Sequence, residues 1–437
     1  MIDMVGIGPF VVMPFVVAQF NNGLFIWAWI LGAFTAFVDG MIWSELGAKY
    51  PLAGGTYNFH RIAYGEKAGR LMSFLFVWQT SIQAPLVVAS GAIGFAQYLT
   101  YIVDLTLLQE KIISGSLVVL VFILLYRKIE SIGKISVVMG SIVVLTILWI
   151  IISGLMHQQH PVKLFPTGNE SFFTYAFWAA VGHGSVKTVY SFLGYYNVCH
   201  LGGEIKRPEV NIPKSIFISI AGITVLYLLM NISVMSVISW QQVLERDKYL
   251  VSSFMENVYG HSAGVIITIL ILCIALSSLF AVVLGYSRVP YAAAVDGNFF
   301  KVFAKLHPTK NFPYISLIFL CAVGFIFSLF MKLSEVISSI LAMRIIIQFI
   351  GQGIGVSLLR KRFGAANLPF KMWLFPLPVI VSICIWLFLF VSTGWFAVWG
   401  SLITLIGVGV FFIIPKHEKT DDKFEFENPD KSLERIN

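Results

Sequence analysis

The chain has 437 residues, of which 58% are hydrophobic and only 12% are charged, and its mean hydropathy is +0.84. Soluble domains have about 25% charged residues, and disordered chains combine low hydrophobicity with many charges, so both classes are excluded. The formal net charge of +8 raises the question of a nucleic-acid partner, which the placement of the charges answers below. The composition indicates a membrane protein with several spans.

Twelve apolar segments follow one another along the chain, and their continuous length is typical of transmembrane helices rather than barrel strands. We therefore predict an all-α integral membrane fold with twelve transmembrane helices. The predicted segments are residues 4–20, 24–44, 69–98, 112–127, 134–156, 172–201, 214–239, 262–287, 314–331, 336–359, 373–392 and 395–415. Residues 416–437 are polar and are predicted to form a tail outside the membrane.

The basic residues of the loops predict the orientation. Eighteen lysines and arginines lie in loops that follow even-numbered segments, whereas five lie in loops that follow odd-numbered ones. Positively charged loops stay in the cytoplasm, so we expect both termini to be cytoplasmic and the protein to lie in the cell membrane. The net charge then reflects topology, and we expect no nucleic-acid partner.

The first segment carries a helix-breaking pattern, VGIGPFVVMP at residues 5–14. Glycine weakens a helix and proline is tolerated only in its first turn. We expect a break between Gly6 and Gly8 and a new half-helix from Pro9. Its free amides, from Phe10 onward, and its positive dipole end favour an anion such as a carboxylate.

The sixth segment repeats this pattern, because Gly194 interrupts the run VYSFLGYYNVC at residues 189–199. Interrupted segments at corresponding positions of two halves point to the binding site of an alternating-access transporter. The alternative is that Gly6, Gly8 and Gly194 only allow helices to pack closely.

Three loop motifs strengthen the transporter interpretation: SELGAKYPLAGGTY (44–57), GGEIKRPEVNIPKS (202–215) and GYSRVPYAAAVDGNFFKVFAKLHP (285–308). Together with VGIGPF and the twelve segments, they resemble the amino acid–polyamine–organocation (APC) superfamily, nearest to its bacterial amino acid permeases.

The resemblance implies the LeuT-type fold, a five-plus-five inverted repeat with two additional C-terminal helices. The transporter domain then covers 1–415, with repeats at about 1–156 and 172–359 and the additional helices at 373–415.

The resemblance also implies a substrate site. The first break binds the substrate carboxylate in that superfamily, which maps onto Gly6, Ile7 and Gly8. The second break offers backbone carbonyls to the amino group and an aromatic lid at the position of Tyr190. This second role maps onto Tyr190, Ser191, Phe192 and Gly194. Apart from the resemblance, we also expect the large residues Tyr195 and Tyr196 beside the break to bind substrate.

Ionisable residues inside a membrane are functional candidates by default. His183, Lys187 and Tyr190 share one helical face by spacing, so we expect the first two to line the outer vestibule, in substrate attraction or proton coupling. A lysine satisfied by backbone carbonyls in a watery cavity is the alternative for Lys187. Arg344 either meets a substrate carboxylate or locks helix packing, and packing is favoured.

Further polar residues have gating, coupling or structural interpretations. Glu204 is expected to act as an inner gate or helix cap. Ser277 and Ser278 are candidate sodium ligands, although such hydroxyls more often bond their own backbone carbonyls. Asp39 and Glu45, near the cytoplasmic end of segment 2, are expected to pair with loop lysines.

The chain departs from the family pattern in three ways. Only five residues precede Gly6, so we expect either an upstream start or the loss of the inner gate. Segment 5 lacks the lysine that replaces sodium in some relatives. The loop 99–111 has no cysteine for joining a heavy chain, so we expect a stand-alone monomer or homodimer in the lipid bilayer.

The predicted function is secondary active transport of amino acids by symport or exchange, not enzymatic catalysis. An arginine or agmatine exchanger of the superfamily has a glutamate where this chain has Tyr196, and the buried charges are positive. Neutral or acidic amino acids are therefore favoured. No cofactor is expected beyond a coupling proton or sodium ion. The alternatives are a polyamine or cationic amino acid transporter, and a channel or sensor of the same fold.

Overall fold

The computed structural model is all-helical in the residues that it describes. These residues are 4–52, 54–126, 132–168, 171–245, 249–310 and 312–413, with the backbone alone described for 132–139, 204, 244 and 245. The predicted polar tail, 416–437, lies outside them.

The helices are numbered in chain order. The first eight are α1 (Gly8–Val17), α2 (Ile26–Lys49), α3 (Thr56–Leu99), α4 (Leu107–Leu125), α5 (Ile132–Met156), α6 (Tyr175–Phe192), α7 (Asn197–His200) and α8 (Pro208–Met235). They are followed by α9 (Trp240–Glu245), α10 (Leu250–Tyr259), α11 (His261–Tyr286), α12 (Arg288–Val295), α13 (Tyr314–Phe330), α14 (Leu333–Arg344), α15 (Gly351–Phe363), α16 (Leu377–Ser392) and α17 (Trp395–Ile413). A π-helical turn, Ile345–Ile350, joins α14 to α15.

Each of the twelve predicted apolar segments overlaps at least one of these helices. Within the described residues, seven helical stretches are long and apolar enough to cross a membrane, and four further apolar helices are shorter. The protein is therefore a multi-pass membrane protein, whereas the count of twelve crossings and the inverted repeat stay predictions.

Several boundaries differ from the predicted ones because polar helices give no long apolar run. The third segment was expected from residue 69, but α3 begins at Thr56 and bends at Gly65, whose φ is +76°. The predicted loop between segments 7 and 8 contains α9 and α10. Helix α10 is amphipathic and buries Leu250, Phe254 and Met255, so its stability comes from one packed face.

Local chemistry explains where helices begin. Thr106 and Gln109 form a capping box before α4, and the Thr174 hydroxyl accepts a hydrogen bond from the Phe177 amide (3.2 Å) at the start of α6. Such caps satisfy amides that have no partner within the helix.

Helix α2 packs against α6, α8, α15 and α16, and α3 packs against α11, α13 and α14. Trp29, Trp43 and Trp386 are fully buried in this arrangement. The short helices α1 and α6 contact each other, so two helix ends lie inside the bundle.

Glu45 joins three parts of the chain at the bundle end predicted to be cytoplasmic. Arg360 of α15 donates to both carboxylate oxygens, with Nε 2.7 Å from Oε1, and the Met372 amide donates to Oε2 at 2.8 Å. The partners of Glu45 are thus an arginine and a backbone amide, not a loop lysine.

The expected pairing of Asp39 with a loop lysine was also wrong, because four neutral donors surround Asp39 inside the bundle.

We expect Arg360→Gln to lower the apparent melting temperature in detergent by several degrees. The substitution leaves Glu45 buried without its cationic partner, which costs about 3–5 kcal/mol for a buried pair. Size-exclusion chromatography after heating measures the change, with Lys361→Gln at the exposed neighbouring position as the control. Equal melting temperatures for the two variants would contradict a stabilising role of this pair.

Candidate functional site

The first helix break lies just before α1. This helix begins at Gly8, with Pro9 in its first turn, and the amides of Phe10 and Val11 both donate to the Ile7 carbonyl at 3.1 and 3.3 Å. The predicted start at Pro9, with free amides from Phe10 onward, was therefore wrong by one to two residues. Within the described residues, the amides of Ile7 and Gly8 meet no acceptor. These two amides carry the positive end of α1.

The second break lies at Gly194, as predicted. Helix α6 ends at Phe192, the Leu193 amide donates back to Val189 and Tyr190, and Gly194 has φ +112°. Only glycine adopts this φ without strain. The chain turns through Tyr196 before α7 begins. Among the described residues, no donor reaches the Phe192 carbonyl.

The two breaks lie directly against each other. A Cβ atom placed on Gly8 would lie 3.2 Å from Cε1 of Tyr190, and one on Gly6 would lie 2.6 Å from Oγ of Ser278 in α11. A side chain at Gly6 would therefore displace Ser278. The structure thus brings together Gly6, Gly8, Tyr190 and Ser278, which the sequence placed in three separate segments.

Tyr227 of α8 bridges the two breaks and is not among the residues predicted from the sequence. Its hydroxyl lies 3.1 Å from the carbonyl oxygen of Met4 and 3.3 Å from that of Ser191, and donates to both. The ring is fully buried and makes edge contacts with Trp29 and Phe192. No pattern distinguishes Tyr227 from the other aromatic residues of an apolar segment, so no sequence signal pointed to it.

Tyr190 and Ser191 present polar groups at the junction. The Tyr190 hydroxyl is 2.8 Å from Oγ of Ser90 in α3, which holds the ring against Gly8. The Ser191 hydroxyl is buried and has no hydrogen-bond partner in the part of the chain described. A buried polar group without a partner is costly, so this hydroxyl is suited to a bound polar molecule.

The hydroxyls of Tyr195 and Tyr196, two residues expected to bind substrate, both have protein partners. The Tyr195 hydroxyl donates to Oδ2 of Asp39 at 2.5 Å. Tyr196 stacks on Trp43 with ring centroids 4.6 Å apart, and its hydroxyl accepts a hydrogen bond from Arg344. Both rings are at most 4% exposed.

Arg344 ends α14 and is 4% exposed. Its guanidinium donates to the hydroxyls of Tyr196 and Tyr286 and, at 2.9 Å, to Oε1 of Gln83. Among the described residues no carboxylate contacts it, and its Nε has no partner. The contacts join three helices to the second break and leave this buried positive charge without a carboxylate partner among the described residues.

His183 and Lys187 have separate hydrogen-bond partners, and their expected place in an outer vestibule stays a prediction. Lys187 Nζ donates to the Ser334 carbonyl and to Oγ of Ser338 in α14, both at 2.7 Å, whereas His183 Nδ1 lies 2.8 Å from the Ser392 carbonyl at the end of α16. One helix face is wide enough to meet several neighbouring helices.

Two further candidates have simpler placements. Ser277 is half-buried beside Ser278 in α11. Glu204 ends a 3-10 turn, Gly202–Glu204, and its side chain lies outside the described residues. Within those residues, no group of three histidine, cysteine, aspartate or glutamate side chains could hold a metal ion.

The chain is similar to known amino acid permeases and transporters. A family model described as amino acid permease matches residues 1–416. The serine/threonine exchanger SteT of Bacillus subtilis is 25% identical over 83% of this chain and 81% of its own length. The aspartate-proton symporter of Bacillus subtilis is 24% identical over 79% of this chain and 68% of its own length. Mouse cationic amino acid transporter 4 is 23% identical over 84% of this chain and 58% of its own length.

We expect Tyr227→Phe to lower the apparent melting temperature, because it leaves the buried carbonyls of Met4 and Ser191 without their shared donor. The cost of such unsatisfied groups is about 1–3 kcal/mol. Thermal unfolding in detergent measures it, with Tyr175→Phe, at a 90% exposed position, as the matched control. If both variants melt like the wild type, the hydroxyl does not hold the breaks together.

Proposed function

Because this chain belongs to the amino acid permease family, we propose that it is a secondary transporter that moves neutral or acidic amino acids across the cell membrane by alternating access, by symport or exchange. One observation carries the proposal: two interrupted helices meet inside the bundle, with unpaired backbone groups of opposite polarity at the junction. Discontinuous helices of this kind form the central site of secondary transporters.

The two ends of an amino acid match the two breaks. We assign the substrate carboxylate to the amides of Ile7 and Gly8, because the N-terminus of α1 attracts anions. The ammonium group is assigned to the Phe192 carbonyl and the unpaired Ser191 hydroxyl. Tyr190, held by Ser90, then covers the site as a lid.

The charges near the breaks favour a neutral or acidic side chain. Arg344 and Lys187 are buried on the helices around the site, and the carboxylate of Asp39 already accepts four hydrogen bonds. A cationic side chain would add positive charge without a free counter-ion, which is costly at low dielectric. The names of the relatives alone leave the substrate charge open, since they include serine, aspartate and cationic amino acids.

Lys187 is proposed as a closing contact of the outer gate. Its two bonds join α6 to the start of α14, and the loop charges predict this end of the bundle to be extracellular. Opening the site to that side breaks these bonds and exposes the ammonium group to water. His183, Ser277, Ser278 and Glu204 keep their proposed roles in coupling or gating.

Counterflow in proteoliposomes tests the transport proposal. Vesicles loaded with one unlabelled amino acid are tested for uptake of the labelled form, with all common amino acids and several polyamines as competitors. We expect neutral or acidic amino acids to compete. Cationic amino acids and polyamines should compete at least about tenfold more weakly, which corresponds to a loss of roughly 1.4 kcal/mol or more in binding free energy. Competition by cations alone would refute the charge assignment, and no exchange by any solute would count against transport.

A glycine pair tests the site itself. We expect Gly8→Val to abolish counterflow, because its side chain enters the space held by Tyr190 and Ser191. Gly409→Val is the matched control, since nothing lies within 4 Å of a Cβ atom at Gly409. Equal counterflow by the two variants, at equal amounts of folded protein, would move the site away from the α1 break.

A further inference from the structure

Asp39 is a carboxyl group in the middle of α2 that the assigned substrate site does not use. It lies 13 residues after the first residue of α2 and 10 before the last, which is about 20 Å and about 15 Å along the helix. The side chain is 1% exposed. A carboxyl group at this depth is a functional candidate rather than a surface charge.

The four hydrogen bonds to Asp39 have a paired arrangement. Oδ1 accepts from the indole Nε1 of Trp386 (3.1 Å) and from the hydroxyl of Ser382 (3.3 Å), both in α16. Oδ2 accepts from the indole Nε1 of Trp43 (2.8 Å) and from the hydroxyl of Tyr195 (2.5 Å). Each oxygen therefore has one indole and one hydroxyl partner.

This arrangement accommodates both protonation states of the carboxyl group. An indole N–H can only donate, whereas a hydroxyl can donate or accept. The ionised carboxylate accepts from all four partners. When one proton binds, the new O–H donates to the oxygen of Tyr195 or Ser382, whose own proton rotates away, and both indole bonds remain.

No cation in the described residues neutralises Asp39. The helices packed against α2 are α6, α8, α15 and α16. Their buried charged groups are engaged elsewhere: Lys187 of α6 bonds to α14, and Arg360 of α15 bonds to Glu45. Among the described residues of these helices, therefore, no lysine or arginine balances the negative charge of Asp39 when it is ionised.

The titratable group in direct contact with Asp39 is Tyr195. Next to Tyr195, the Tyr196 hydroxyl accepts a hydrogen bond from the Arg344 guanidinium. The Tyr227 hydroxyl of α8 donates to backbone carbonyls. Protonation of Asp39 therefore directly changes the hydrogen bond made by Tyr195, which lies in the unwound segment that follows Gly194.

We propose that Asp39 binds the proton that moves together with the substrate, and that Tyr195 transmits its binding to the second helix break. In the ionised state, the short Tyr195 bond, of charge-assisted length, ties the break to α2. Proton entry from one side converts the carboxylate to the acid, weakens that bond and frees the break. Release of the same proton on the other side restores the bond, so one proton crosses with each substrate.

This inference rests on the proposed amino acid transport, and one reconstituted system tests the two separately. Proteoliposomes containing a trapped pH dye are supplied with the substrate that the counterflow assay identifies, with and without an imposed pH gradient. For the wild type we expect the gradient to drive accumulation, and substrate entry to acidify the lumen. For Asp39→Asn, relative to the wild type, we expect the accumulation driven by the pH gradient to fall by a factor at least about ten times larger than the fall in counterflow. Asp104→Asn, at an exposed acid, is the matched control and should behave like the wild type.

Tyr195→Phe supplies a second test that does not depend on the folding of Asp39→Asn. Loss of its hydrogen bond removes a contact that favours the ionised carboxylate, so the pH at half-maximal uptake should rise by about half a unit or more. Ser382→Ala should shift the same midpoint less, because its bond is the longest of the four.

The outcomes are distinguishable. If the wild type performs counterflow but net substrate entry into unloaded vesicles does not acidify the lumen, the role of Asp39 is overturned and amino acid transport is left intact. The same conclusion follows if Asp39→Asn retains pH-driven accumulation at the wild-type ratio to counterflow. An unchanged pH midpoint in Tyr195→Phe would refute transmission through Tyr195. Absence of counterflow in the wild type would instead remove the transport proposal itself.

Discussion

Inside an apolar bundle every backbone amide and carbonyl needs a protein partner, because lipid provides none. The breaks before α1 and after α6 are built around this constraint. The Ile7 carbonyl accepts from two amides, and the Tyr227 hydroxyl serves carbonyls of both breaks. The unpaired backbone groups at the junction include the amides of Ile7 and Gly8 and the Phe192 carbonyl, among the described residues. Their opposite polarity supports the proposed binding of a zwitterion.

The buried charges are stabilised in three different ways. Glu45 has a cationic partner in Arg360, which fixes one end of the bundle. Arg344 is held by two phenols and an amide oxygen, so its charge is solvated but not neutralised. Asp39 has only neutral donors, two of which can reverse. Burial of a charge requires a counter-ion or polar partners, and these three groups meet that requirement with different partners.

Much of the helical framework follows from the amino-acid order, since long apolar runs leave few alternatives to membrane helices. The helices α9 and α10 and the early start of α3 were not predicted, because none of them lies in a long apolar run. Helix α10 is instead stabilised by one packed face. Of the site, the glycines at 6, 8 and 194 could be predicted, because glycine weakens an apolar helix. Only Gly194 is required by its own φ, whereas Gly6 and Gly8 lie against Ser278 and Tyr190. Tyr227 could not, because the carbonyls that it serves are distant in sequence.

By itself, the sequence determined the membrane class, the order of the helices and the positions where two of them break, all of which depend on hydrophobicity and on glycine. Only the tertiary structure decided which side chains share a site. In the folded protein, Lys187 forms hydrogen bonds with α14, His183 with the end of α16, and Tyr195 with Asp39. The physical reason is that helical periodicity fixes the direction of a side chain on its own helix, whereas the partner in that direction depends on how the other helices pack.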